Sequence, residues 1–203
     1  MSRIDRREFL RTGAQGAAFL TLPVLPSAGE RGHRDQALAV AAGVGENDEE
    51  NPTLFSVVLV TDSHVRLETD DPQNVFPSDR YANDKNRYVV EQINRVNPDL
   101  VIHLGDIPHT IPASENHDQA MRNARAIYRN GIKSDLHVVP GNHDIGNKPN
   151  AFTSSPIMDE RSHEVFLKYW GATYSSFDYE DCHFLLLSTS VLNSGLPLEA
   201  EQR

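Results

Sequence analysis

Three short strings of carboxylate, imidazole and carboxamide side chains carry the chemistry that this sequence could perform. They are Asp62-Ser63-His64, Gly105-Asp106 and Gly141-Asn142-His143-Asp144. Carboxylates, a neutral imidazole and an amide oxygen suit divalent ions of borderline to hard character, such as Mn²⁺, Fe²⁺, Zn²⁺ or Mg²⁺. On extended backbone, residues i and i+2 point to the same side, so Asp62 and His64 would reach one ion. The strings therefore predict a divalent-metal site.

The elements that must position these strings are short apolar runs, each ending where a string begins. The runs predict buried strands over residues 54–60, 100–104 and 136–139. Helices are predicted from Asn83, after Ser114 and over about residues 159–169, and a hairpin is predicted to turn at Glu180-Asp181. The β-α-β-α-β order implies a parallel sheet with right-handed crossovers. Open parallel sheets place their ligands at the carboxyl ends of the strands, which is where the strings lie.

The expected reaction is phosphoester hydrolysis. Asp106, on the strand next to the one that precedes Asp62, is placed to bridge two ions. Two ions about 3.5–4 Å apart stabilise the attacking and the departing oxygen of an in-line displacement and acidify a shared water. His143 follows Asn142 directly and is predicted either to contact a phosphoryl oxygen or to protonate the leaving group.

The order Asp-x-His, Gly-Asp, Gly-Asn-His-Asp resembles the calcineurin-like metallophosphoesterase family over about residues 54–203. Two longer strings, residues 141–147 and 169–177, are similar to the branch that includes serine/threonine phosphatases. The resemblance implies a four-layer αββα sandwich, a phosphoester substrate and two divalent metal ions. It implies that Asp62, His64 and Asp106 hold the first metal and that Asp106 and Asn142 hold the second. By the same resemblance, His143 is the catalytic histidine.

The chain departs from the family pattern in two ways. Many members have a second aspartate where His109 stands, so His109 is predicted to contact phosphate or to support the site, as is Asp144. The family has later Gly-His and Gly-His-x-His strings, and neither follows Asp144 in the 203 residues. The expected fold is therefore α/β, the N-terminal part of the sandwich with its second sheet largely missing. Two interpretations follow: part of a longer phosphatase or phosphodiesterase, or a truncated, catalytically weak metal-binding domain or scaffold.

Residues 1–28 resemble a twin-arginine export signal. Arg6-Arg7 precedes Phe9-Leu10 and an uncharged stretch over residues 12–28, although Asp5 stands where the pattern has Ser or Thr. The stretch is too short and too interrupted by Gly and Pro for a stable membrane span. Export to the periplasm or the extracellular space is expected, and the alternative is a charged amphipathic tail.

An acidic, Gly/Ala-rich linker is predicted over residues 29–52, followed by the phosphoesterase domain over residues 53–203. The formal net charge of −10 argues against a nucleic-acid partner, because non-specific affinity needs clustered Lys and Arg. Phosphate substrates remain compatible with it, since bound divalent ions reverse the local field. The sequence leaves the oligomeric state open. His103 is predicted to be buried in its strand, and His117 and His163 are predicted at surface or cap positions.

Overall fold

The computed structural model describes residues 17–20, 55–67, 80–149 and 156–203. Of the predicted signal peptide, residues 1–28, only 17–20 are described, and the predicted linker 29–52 lies outside the described residues. In chain order the elements are β1 (Ala17–Leu20), β2 (Val57–Val60), α1 (Ala82–Val96), β3 (Leu100–His103), α2 (His117–Ile127), β4 (Asp135–Val138), α3 (Asn142–Ile145), α4 (Glu160–Trp170), β5 (Ser175–Tyr179), β6 (Cys182–Leu186) and α5 (Pro197–Gln202).

A four-stranded sheet of order β1-β2-β3-β4 carries the three polar strings. Strands β2, β3 and β4 are parallel, as predicted, and β1 pairs antiparallel with β2. Val60 lies beside His103, and His103 lies beside Val138, so the three parallel strands end at the same edge. The strand β1 was not predicted, because its residues lie within the apolar stretch of the predicted signal peptide.

The sheet is covered on both faces, which explains why its strands are apolar without alternation. One face packs on α1, α2 and α4 through residues such as Ile93, Met121 and Phe166, all fully buried. The other face packs on the antiparallel β5–β6 hairpin, where the ring of Phe177 stacks on His137 at a centroid distance of 3.8 Å. This hairpin is the second sheet within the described residues. The predicted α/β fold, the N-terminal part of a metallophosphoesterase sandwich, is thus confirmed.

Helix boundaries differ from the predictions where polar side chains have tertiary partners. Asn83 was predicted to cap α1, but Tyr81 occupies that position. The Asn83 side chain instead pairs with the backbone of Arg66: it accepts from the N–H at 2.8 Å and donates to the carbonyl at 2.9 Å. Helix α1 ends at Asn97, which has a left-handed conformation and precedes Pro98. None of the helices in the described ranges is long and apolar enough to cross a bilayer.

Candidate metal centre

The pairing of β2 with β3 continues past the ends of both strands, into the loops that carry the first two strings. Each loop donates backbone N–H groups to carbonyls of the facing loop, at 2.7–3.0 Å. These bonds run from Leu104 to Val60, from Asp62 to Gly105, from His64 to Asp106, from Val65 to Ile107 and from His109 to Val65. The relative positions of Asp62, His64 and Asp106 are therefore set by backbone pairing.

The same three residues have left-handed backbone conformations. Their φ angles are +52° at Asp62, +43° at His64 and +53° at Asp106. Such conformations cost a non-glycine residue about 1–3 kcal/mol and concentrate at functional sites. The predicted extended Asp-x-His segment is thus wrong, because β2 ends at Val60 and the chain turns immediately afterwards. Surrounding hydrogen bonds must stabilise this turn, and those to Gly105 and Asp106 do so.

Two glycines allow the second and third strings to touch. A Cβ atom on Gly141 would lie 2.2 Å from Oδ1 of Asp106, and one on Gly105 would lie 2.2 Å from the Gly141 nitrogen. Gly105 also has a φ of +101°, which side chains rarely adopt. Glycine is therefore required at both positions, because a Cβ atom at either one would clash with the facing string.

Asp144 fastens the second string to the third. Its carboxylate accepts from the N–H groups of Asp106 at 2.6 Å, Gly141 at 2.7 Å and Ile107 at 3.2 Å. The side chain is fully buried, and this burial raises its pKa to about 7 although the backbone donors oppose the shift. Of the two roles predicted for Asp144, burial favours support of the site over contact with phosphate.

His143 is held by three hydrogen bonds, one at its ring, one at its backbone N–H and one at its backbone carbonyl. Its N–H donates to Oδ1 of Asp106 at 2.8 Å, and its Nδ1–H donates to the carbonyl of His109 at 2.7 Å. His117 donates from Nε2 to the His143 carbonyl at 3.1 Å. His117 is only 2% exposed, so the prediction of a surface or cap position was wrong. Helical periodicity could have placed His117 on the buried face of α2, together with Ala120, Met121 and Ala124.

His109 lies beside the site, where its backbone carbonyl orients His143. Its ring centroid is 5.6 Å from that of His64 and 6.0 Å from that of His143. Arg66 lies 3.1 Å from its Nε2 through a guanidinium nitrogen, and the guanidinium must be the donor. The lone pair of Nε2 of His109 is thus engaged by Arg66. Of the roles predicted for His109, this geometry favours support of the site, through His143.

His64, Asp106 and His143 form the most compact group of metal-ligating atoms among the described residues. One ligand atom of each lies within 4.8 Å of the others. Nδ1 of His64 is buried and has no hydrogen-bond partner among the described residues. Burial lowers the pKa of His64, with a smaller contribution from His143, which favours the neutral imidazole that binds metals. A buried nitrogen that lacks a partner beside a carboxylate fits a divalent cation.

The other predicted ligands line an open cleft of about 300 Å³ beside this group. Asp62, Asp106 and Asn142 are among the residues that line the cleft. Asp106 therefore belongs both to the cleft and to the compact group. Asp62 also remains close to His64, with 3.7 Å between its Oδ1 and the histidine Nε2. The structure thus brings all four predicted metal ligands, Asp62, His64, Asp106 and Asn142, to one edge of the sheet.

Three further residues, which were not predicted from the sequence, line the same cleft. They are Lys148, Thr189 and Ser190, and the Lys148 ammonium donates to the carbonyl of Leu192 at 3.1 Å. Lys148 follows the third polar string in the chain, whereas Thr189 and Ser190 come shortly after β6. Lys148 is the cation of the cleft lining in the described part of the chain.

A sequence model of the calcineurin-like phosphoesterase family matches residues 55–196, well over half of the chain. The chain belongs to this family. The match covers every residue of the three polar strings and the three parallel strands that precede them. Members of the calcineurin-like phosphoesterase family use divalent metals, which agrees with the donor atoms gathered at the sheet edge.

Similar curated proteins are named serine/threonine-protein phosphatase CPPED1. The human protein is 30% identical over 176 residues, which cover 80% of this chain and 52% of the human one. The mouse protein is 32% identical over 107 residues, covering 51% of this chain and 31% of the mouse one. The chain thus spans between about a third and a half of the length of these curated relatives.

Proposed function

We propose that this protein is a metal-dependent phosphoester hydrolase with two divalent-metal positions that share Asp106. The observation that carries the proposal is the convergence of His64, Asp106 and His143 within 4.8 Å, at the carboxyl ends of parallel strands in a phosphoesterase domain. Asp106 also borders the cleft with Asp62 and Asn142, which supports a bridging role. The metal identity stays open among Mn²⁺, Fe²⁺, Zn²⁺ and Mg²⁺, because the donor set suits each of them.

The residues divide by what each would hold. Asp62, His64 and Asp106 would hold the first ion, and Asp106 and Asn142 would belong to the second. Bound ions would neutralise phosphoryl oxygens and acidify water for attack on phosphorus. The buried carboxylate of Asp144 keeps the backbone of Asp106 and Gly141 in place, so that the ligands are positioned before an ion binds.

His143 and Lys148 would act on the substrate. The Nδ1–H of His143 is engaged by the carbonyl of His109, which leaves Nε2 to carry the proton for the leaving group. Lys148 adds a positive charge to the cleft that Asn142 also lines, where it would attract a phosphate dianion. The printed name of the relatives makes phosphoserine and phosphothreonine the first substrates to test, and phosphodiesters the second.

The test compares the full chain after chelation with the same chain reloaded with Mn²⁺, using p-nitrophenyl phosphate and a phosphoserine peptide as substrates. We expect hydrolysis with metal and none after chelation, because the ions supply several kcal/mol of transition-state stabilisation. Bis(p-nitrophenyl) phosphate, assayed in parallel, separates a phosphodiesterase from a phosphatase.

Calorimetry with Mn²⁺ separates the remaining outcomes. Metal binding without hydrolysis of any of the three substrates would contradict the proposed reaction and favour the alternative, a catalytically weak metal-binding domain. The site proposal itself fails if the chain binds no divalent metal.

We further propose that the protein is exported, because Arg6-Arg7 is followed by a short uncharged stretch. Fractionation of cells expressing the Arg6→Lys, Arg7→Lys double variant provides the test. Export of the double variant at the wild-type level would contradict a twin-arginine route.

A further inference from the structure

A buried chain of hydrogen bonds lies beneath the metal centre and includes none of the residues proposed to bind metal or substrate. It consists of four side chains from four separate segments, namely Ser63, Asn86, His103 and Tyr128. Three of them are nearly inaccessible: Asn86 is 6% exposed, His103 is 0% and Tyr128 is 1%. Polar groups buried to this extent are costly unless every partner is satisfied, so the arrangement requires a reason.

Each member of this chain of hydrogen bonds accepts from one neighbour and donates to the next. The Gly105 N–H donates to Nδ1 of His103 at 3.2 Å, which places the proton of this imidazole on Nε2. Nε2 lies 2.6 Å from Oγ of Ser63 and donates to it. The Ser63 hydroxyl donates to Oη of Tyr128 at 2.8 Å.

The series of hydrogen bonds then leads back to Ser63. Oη of Tyr128 donates to Oδ1 of Asn86 at 2.7 Å, and Nδ2 of Asn86 donates to the backbone carbonyl of Ser63 at 2.9 Å. Both the hydroxyl and the carbonyl of Ser63 are therefore held by buried side chains. Burial lowers the pKa of His103 to about 3 and raises that of Tyr128 to about 12, so both groups stay neutral across the ordinary pH range.

Ser63 connects this chain of hydrogen bonds to the predicted metal ligands. Ser63 stands between Asp62 and His64, and both neighbours have left-handed backbone conformations. The other end of the chain starts at Gly105, the residue before Asp106. The hydrogen bonds thus reach the backbone beside three of the four predicted metal ligands without including any ligand.

We propose that Ser63, Asn86, His103 and Tyr128 are positioning residues, which hold the strained Asp62–His64 turn in the geometry that binds metal. The inference rests on the proposed function only for the presence of a metal. Loss of one member relaxes the turn, so metal binding must then restore its conformation. Partners of this kind typically change metal affinity about 10- to 100-fold.

The test uses the full chain and compares Tyr128→Phe with Tyr169→Phe. Both tyrosines are buried, and Oη of Tyr169 donates to Asp118 at 3.0 Å, away from the polar strings. The two variants therefore lose matched hydroxyl groups. We expect Tyr128→Phe to weaken Mn²⁺ binding about tenfold and to speed amide hydrogen exchange over residues 61–65 of the metal-free chain. Tyr169→Phe should change neither reading, even where its unfolding free energy falls equally.

Equal Mn²⁺ affinity in Tyr128→Phe and wild type overturns the proposal, and so does an equal loss in both variants. Ser63→Ala, which removes the hydroxyl that joins His103 to Tyr128, decides the matter by the same readings if Tyr128→Phe does not fold. A wild-type chain that binds no Mn²⁺ would contradict the proposed function. In that case hydrogen exchange over residues 61–65 still decides whether the chain of hydrogen bonds positions the turn.

Discussion

Asp106→Asn is expected to lower kcat/KM for p-nitrophenyl phosphate about 1,000-fold, because losing roughly 4 kcal/mol of metal-based stabilisation corresponds to that factor. The substitution removes the charge of the residue shared by the compact group and the cleft. An asparagine keeps an oxygen that can accept from the His143 N–H, so the local backbone should persist. Calorimetry with Mn²⁺ should show loss of binding at one or both positions.

Asp135→Asn is the matched control. Asp135 begins β4 and pairs with Leu100, at the opposite end of the same parallel strands, and its side chain is 71% exposed. A surface substitution of this kind should leave kcat/KM within about twofold of wild type. If Asp106→Asn behaved like this control in both Mn²⁺ binding and hydrolysis, the shared-ligand assignment would be wrong.

His143→Gln is expected to reduce kcat about 100- to 10,000-fold, the usual contribution of a positioned proton donor. The loss should be larger for phenyl phosphate than for p-nitrophenyl phosphate, because the poorer leaving group depends more on protonation. Mn²⁺ affinity should stay within about threefold of wild type, since the backbone N–H of residue 143 still donates to Oδ1 of Asp106 in the variant. His183→Gln, an exposed histidine bonded to Asp178, serves as the control.

The His143→Gln variant also distinguishes proton donation by His143 from direct metal ligation. His143 belongs to the compact group with His64 and Asp106, which is also compatible with direct metal ligation. In that case His143→Gln would lose Mn²⁺ affinity and activity together, with no dependence on the leaving group. The prediction favours the proton donor because the resemblance to the family assigns Asn142, and not His143, to the metal.

The parts of the fold that were predictable from the sequence are those encoded by local patterns. Unalternated apolar runs indicate buried strands, and the polar strings directly follow them, so the shared sheet edge could be predicted before the structure was known. Asn97-Pro98 likewise marked the end of α1. These features depend on residues close together in the chain, where propensity and periodicity carry information.

The rest depends on contacts between distant segments. Asn83 has the residue type of a helix cap, but its amide pairs with the backbone of Arg66. Thr189 and Ser190 line the cleft because the chain returns to this edge of the sheet after the hairpin. The left-handed conformations of Asp62 and Asp106 are stable because Asp144 and the facing loop satisfy their backbone groups. No local pattern reports such arrangements.

The backbone pairing that runs from β2 and β3 into the two loops has a consequence for how this family could diverge. Each of these bonds joins one position of the loop that carries Asp62 and His64 to one position of the loop that carries Asp106, so the register of the pairing fixes which ligands face each other. A single-residue insertion or deletion between Val60 and His64 would shift that register and move the imidazole relative to Asp106, even with every ligand type retained. Sequence drift between Val60 and His64 is therefore constrained in length as well as in composition.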